Sequence, residues 1–161
     1  MNSTNINLTS PQEVIDHAFA HGEYVEPSAI TPADAAAAEQ RYILPVTGRE
    51  LYECLAQGEY PSLREEYVVP AAAFFTRYML QPLMDINTGR FGSTVPHSSS
   101  YAAADRQRTV DARAALREKA RTLLKALSDH LDQNKADYPQ YKPEENILHR
   151  CSTDGGLVQI L

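Results

Sequence analysis

The chain has no tryptophan, only two cysteines and no long apolar run among its 161 residues. The longest apolar stretch, residues 68–75, is interrupted by Pro70 and falls far short of the ~20 residues a membrane span needs. That excludes a membrane-spanning helix, and we expect no membrane partner. Cys54 and Cys151 stand too far apart for zinc-type spacing and read as reduced thiols, with a bridge between them left open. Runs of alternating β-branched residues are nearly absent, which argues against sheet architectures. The opening MNSTNINLTS lacks the basic start and apolar block of a signal peptide, so a cytoplasmic protein is expected. A net charge of −6 and a pI near 5.3 argue against a protein that grips phosphates, and no sequence-specific nucleic-acid contact is expected. Nucleotide-loop, nucleophile-elbow and zincin motifs are all missing. The expectation is a non-enzyme with no cofactor, no metal and no catalytic residue.

What the chain does contain is helix. Residues 101–134 have no glycine or proline. Ala112, Leu116, Ala120, Leu123, Leu124, Leu127 and Leu131 recur at the spacing of one helical face. Arg113, Arg117, Arg121, Lys125, Asp129 and Asp132 oppose them. At 1.5 Å per residue this helix is roughly 50 Å long. Its first third, with Arg106, Gln107, Arg108 and Asp111, has almost no large apolar residue, so it is expected to stand clear of the core or reach a neighbouring subunit.

Residues 1–9 read as a flexible polar arm. Ser10-Pro11-Gln12-Glu13 is a capping box opening a helix that Gly22 stops. Thr31-Pro32-Ala33-Asp34 repeats the pattern and starts a helix with Ala35, Ala38, Tyr42 and Val46 inward and Glu39, Gln40 and Arg41 toward water. Pro45 is expected to bend or end it. Further capping boxes are read at Thr47 and Ser62. The second leads into the most apolar helix of the chain, through Phe74, Phe75 and Met84, where Pro70 is expected to make a kink or to mark the true start of its second half. Residues 87–100 form a long mobile loop, 137–143 an aromatic-proline turn, and 151–161 an apolar tail of strand-like character. A single all-α domain spanning 1–161 follows, a bundle of about five helices with one long helix, a flexible loop and a docking tail.

Few side chains suggest chemistry. His17 and His21 share a helix face but lack a third ligand. His149 and Cys151 make only a weak pair, and Glu65-Glu66 and Glu144-Glu145 sit where a helix start already favours carboxylates. Arg90 and Phe91, an aromatic beside an arginine in a loop, have the composition of an interface anchor. With Leu157, Val158, Ile160 and Leu161 of the tail they are the candidate subunit-interface residues, since a lone strand needs a partner for its backbone.

Residues 30–55, ITPADAAAAEQRYILPVTGRELYECL, carry a helix, a proline-glycine corner and a Leu-Tyr helix. This stretch resembles the opening signature of phage-type head–tail connector proteins, also called adaptor or head-completion proteins. The matching positions include Glu39, Tyr42, Pro45, Gly48, Leu51 and Tyr52. The later apolar helix, glycine-containing loop, long helix and Asp-Tyr-Pro-Gln-Tyr turn are similar in order to prophage versions from gut bacteria. The resemblance implies a structural subunit that assembles with copies of itself as a ring, between portal and tail or neck proteins, and lines the DNA passage. It would be cytoplasmic during assembly and then part of the virion neck. Two other readings stand beside it: a small helical protein-binding regulatory module, and an all-α metal-dependent enzyme built on His17, His21 and nearby acids.

Overall fold

A computed structural model describes residues 7–19, 23, 25–84, 87–89, 92–94 and 106–150. The fold is all-α. Seven α segments are present among the described residues: α1 (Pro11–Ala18), α2 (Pro32–Ala38), α3 (Leu44–Thr47), α4 (Arg49–Ala56), α5 (Pro61–Leu63), α6 (Val69–Met84) and α7 (Arg106–Gln133). They make five continuous rods, because a π-helical turn joins α2 to α3 (Glu39–Ile43) and another joins α5 to α6 (Arg64–Val68).

Both π turns have the same cause. Pro45 and Pro70 each stand two residues past the end of a π turn. A proline has no N–H for the ladder, and its ring presses on the carbonyl four residues back. A turn widened by one residue moves that carbonyl away. Leu44 N–H accordingly reaches Glu39 O, and Val69 N–H reaches Arg64 O, each a five-residue step. The helix therefore does not end at Pro45, and α6 begins at Val69, just ahead of Pro70; both rods run on through their prolines.

Helix starts divide into two kinds. Ser10 and Thr31 form complete capping boxes with Glu13 and Asp34, as the sequence predicts. Thr47 and Ser62 do not. Thr47 is instead the last residue of α3, its hydroxyl donating back to Ile43 O, and glycine supplies the cap of α4. The α5 rod begins two residues earlier than a cap at Ser62 implies, at Pro61, behind Tyr60 in a left-handed conformation (φ 55°). That conformation is disfavoured for a bulky residue. Tyr60 is held there by an edge-on contact with Tyr138 and by donation of its hydroxyl to Gln140 Oε1 at 2.8 Å.

The main core lies where α2–α3, α4 and α6 meet the C-terminal half of α7, around Ile43, Leu51, Phe75, Leu127 and Leu131. A second core joins α1 to α2 and α6 through Val14, Ala18, Ile30, Ala35, Ala73 and Leu80. Arg77 of α6 closes it, donating to Ala18 O, pairing with Glu23 at 2.9 Å and lying over the Phe19 ring. The first helix ends at Ala18, ahead of the expected stop at Gly22, and Gly22 lies outside the described residues. Within the predicted loop, Asn87–Gly89 and Gly92–Thr94 pair antiparallel, Asn87 opposite Thr94. No helix among the described residues is long and apolar enough to cross a membrane.

Candidate functional site

The residues carrying the connector resemblance converge on a buried carboxylate. Glu39 was expected toward water, yet it is 0 % exposed. One α-helical turn sets it on the face of Ala35, and the π turn that follows keeps Ile43 and Thr47 on that face, all of them buried. Its Oε1 accepts from Thr9 N–H at 2.7 Å; its Oε2 accepts from Leu8 N–H at 3.0 Å and from the Tyr52 hydroxyl at 2.8 Å. Residues 7–9, expected in a flexible arm, are therefore clasped to the bundle, with Leu8 and Thr9 buried. Burial pushes the Glu39 carboxyl above the usual carboxylate range, against the opposing pull of its three donors. Burial also raises the Tyr52 phenol strongly, and the Glu39 carboxylate raises it further.

The other resemblance positions serve the same corner. Tyr42 stacks on Phe75 with ring centroids 3.8 Å apart, and Leu51 is fully buried. Pro45 sets the π turn. Gly48 has φ +76°, ψ 162°, a backbone region open to glycine, and an added Cβ would meet Glu145 Oε2 at 3.2 Å. The six positions form a packing and clasping unit, not an exposed docking face.

At the far end of α7, Tyr141 donates to Asp132 at 2.8 Å and accepts from Asn146, which also donates to Ser128. Burial and the Asp132 carboxylate push the Tyr141 phenol up to about 12. His149 reaches the other Asp132 oxygen at 2.9 Å. The aromatic-proline turn thus covers the bundle end as the sequence predicts. Cys54 carries a free thiol, raised by burial and by the Glu59, Glu53 and Glu50 carboxylates. His17 is exposed. Among the described residues no group of three or more His, Cys, Asp or Glu side chains could hold a metal ion.

The expected interface residues Arg90, Phe91, Leu157, Val158, Ile160 and Leu161 lie outside the described residues, as do His21 and Cys151. The first third of α7, which the sequence predicts to carry few core contacts, forms an exposed surface. Residues 107–115 are exposed throughout, and two grooves run between the N-terminal half of the helix and its neighbours. One, of about 510 Å³, has Phe74, Ala112, Ala115 and Leu116 as its floor and Arg108 and Lys119 on its rim. The other, of about 290 Å³, sets Tyr42, Tyr78 and Met79 beside Arg41, Arg113 and Arg117. The cations lie against aromatic faces: the Arg113 guanidinium is 4.8 Å from the Tyr78 ring centre and the Lys119 ammonium 5.9 Å from that of Phe74. The signal was in the sequence. Residues 106–125 hold seven basic and two acidic side chains, a balance of +5 within a chain of −6; whole-chain charge conceals it.

No curated protein and no solved structure matches this chain. The model of a family of unknown function, DUF6712, matches residues 34–150, a span that holds Glu39 and Tyr52, both π turns and all of α7, and the chain belongs to that family.

Proposed function

We propose that the chain is a structural subunit of a phage-like head–tail connector, assembling as a ring between portal and tail and lining the DNA passage. The observation that carries this reading is the exposed N-terminal third of α7. Residues 107–115 amount to about 13 Å of exposed helix beyond the main core, an extension that the packed end of α7 nucleates but that has little tertiary support of its own. A neighbouring subunit supplies that support in a ring. The corner clasped by Glu39 and Tyr52, the positions that prompt the connector resemblance, gives such a subunit a rigid base. Portal and neck proteins are the adjoining components, and the protein is cytoplasmic until it is built into the virion neck.

Light scattering across a concentration series, with electron microscopy of the most concentrated sample, tests the proposal. Closed rings are the expected result; a monomer at every concentration refutes self-assembly. A second reading, a helical module that binds one protein partner, is favoured by the apolar floor of the 510 Å³ groove. It predicts that persistent monomer.

A further inference from the structure

Charge in this molecule is sorted along α7. The first twenty residues of the helix, 106–125, carry a +5 balance, and Arg41 adds to it across the second groove. The opposite end collects carboxylates from two segments. Residues 49–66 and 126–150 together hold ten acidic and five basic side chains, a balance of −5. The fold brings these segments together. Lys142 binds Glu50 and sits 3.7 Å from Glu145, Asp132 holds Tyr141 and His149, and Tyr67 stacks on His130. Between Arg113 and Asp132 the helix rises about 28 Å.

Each end also exposes apolar surface. The exposed large apolar residues among those described are Leu83 at 70 %, Val110 at 54 % and Leu148 at 38 %. Val110 stands one turn before Arg113, and Leu83 follows Gln81, which lines the same groove as Arg108. Leu148 is next to His149 on the acidic end. An apolar anchor within a charged rim is the anatomy of a protein interface, and here the two ends have opposite sign.

We infer that the basic, Val110-bearing end of one copy docks on the acidic, Leu148-bearing end of the next. The contact is heterologous: two different patches meet, so it propagates head to tail and closes when the rotation per subunit allows. It rests on the connector reading and names the surfaces that reading leaves unassigned. A second copy is the occupant that the charge balance favours, because the chain itself carries the matching opposite surface. A nucleic acid would match the basic end alone and leave the acidic end without a role.

The experiment is a charge swap read by sedimentation velocity. Arg113→Glu, Arg117→Glu and Lys119→Glu together take residues 106–125 from +5 to −1, and Glu53→Lys, Glu59→Lys and Glu144→Lys together take the acidic end from −5 to +1. Each triple variant alone is expected to remain monomeric, with association weakened roughly tenfold or more. Mixed in equal amounts the two are expected to assemble, since their reversed ends are again complementary; that restoration also shows that both variants are folded. Wild-type association should weaken as salt rises from low to high concentration. Wild-type assembly that neither reversal disturbs places the contact elsewhere and overturns this inference while the connector reading stands. A wild-type protein that stays monomeric and retards a short DNA duplex through Arg113 and Arg117 overturns both.

Discussion

Replacing Glu39 by alanine removes one acceptor from three donors at once. Each buried donor left without a partner costs about 1–3 kcal/mol, so holding the fold rigid would cost several. The segment has an alternative. Residues 7–9 can lift away and hydrate their amides, giving up mainly the burial of Leu8, about 1.5–3 kcal/mol. The Tyr52 hydroxyl, on a half-buried ring, can turn to water. The cheaper route decides the outcome, and we expect E39A to lose about 2–4 kcal/mol with the segment released. E39Q keeps one acceptor oxygen but turns an NH₂ toward a remaining donor; about 1–2 kcal/mol is expected. Urea denaturation gives the stabilities, and hydrogen exchange at the Leu8 and Thr9 amides reports the segment directly. The pH dependence has a definite sign. A folded pKa raised above the ordinary 4.5 means that folding takes up a proton, so this group's contribution is greatest at acid pH and falls as pH rises through that window. Glutamine does not titrate, so the gap between wild type and E39Q should narrow as pH rises above 4.5. An E39A protein within about 1 kcal/mol of wild type, with both amides still protected, refutes the clasp.

Glu13 behaves oppositely. Burial raises its carboxyl, but Ser10 N–H and Arg64, at 2.8 Å, outweigh that and hold it below 4.5. Its contribution is present above the unfolded value and lost as pH falls through the lower folded one. E13Q should therefore lose about 1–2 kcal/mol at neutral pH by denaturant titration, the difference vanishing in acid. G48A combines a positive φ with a 3.2 Å approach to Glu145 and should lower stability by about 1–3 kcal/mol. G58A, also at positive φ but with open space around its Cβ position, should lose less; thermal melts of the pair compare them. Y141F takes an acceptor from buried Asn146 and a donor from Asp132, for an expected loss of about 1–3 kcal/mol by the same melt.

Much of the fold was legible because local chemistry and periodicity agreed. Ser10-Pro11 and Thr31-Pro32 place a hydroxyl cap before a proline whose missing N–H the helix start does not need, and both boxes formed. Thr47 and Ser62 failed because a hydroxyl followed three residues on by glutamate is common even where the chain stays helical or another residue caps. The π turns were written in spacing. Ala35, Glu39, Ile43 and Thr47 are four apart, and an α-helix drifts about 40° over each such step. Read at 3.6 residues per turn, the drift reaches about 120° by Thr47; the wider turn after Glu39 takes it up and keeps the four on one face. The partners of Glu39 could not be foreseen, because Leu8 and Thr9 lie some thirty residues away and nothing local marks them as donors. The basic half of α7 was in plain view, and pooling its charge with that of the carboxylate-rich end hid it.

Each π turn has one implication for how the chain tolerates change. The turn is a surplus residue stored in a helix, and the proline beyond it is the reason for the storage. Excising Gln40 would restore an unbroken α ladder with everything downstream still in phase, but would drive the Pro45 ring onto a carbonyl. Replacing Pro45 by alanine would remove that collision and leave a bulge with nothing to relieve. Either lesion alone is harmful and the two together should cancel, so proline and surplus residue are expected to come and go as a pair.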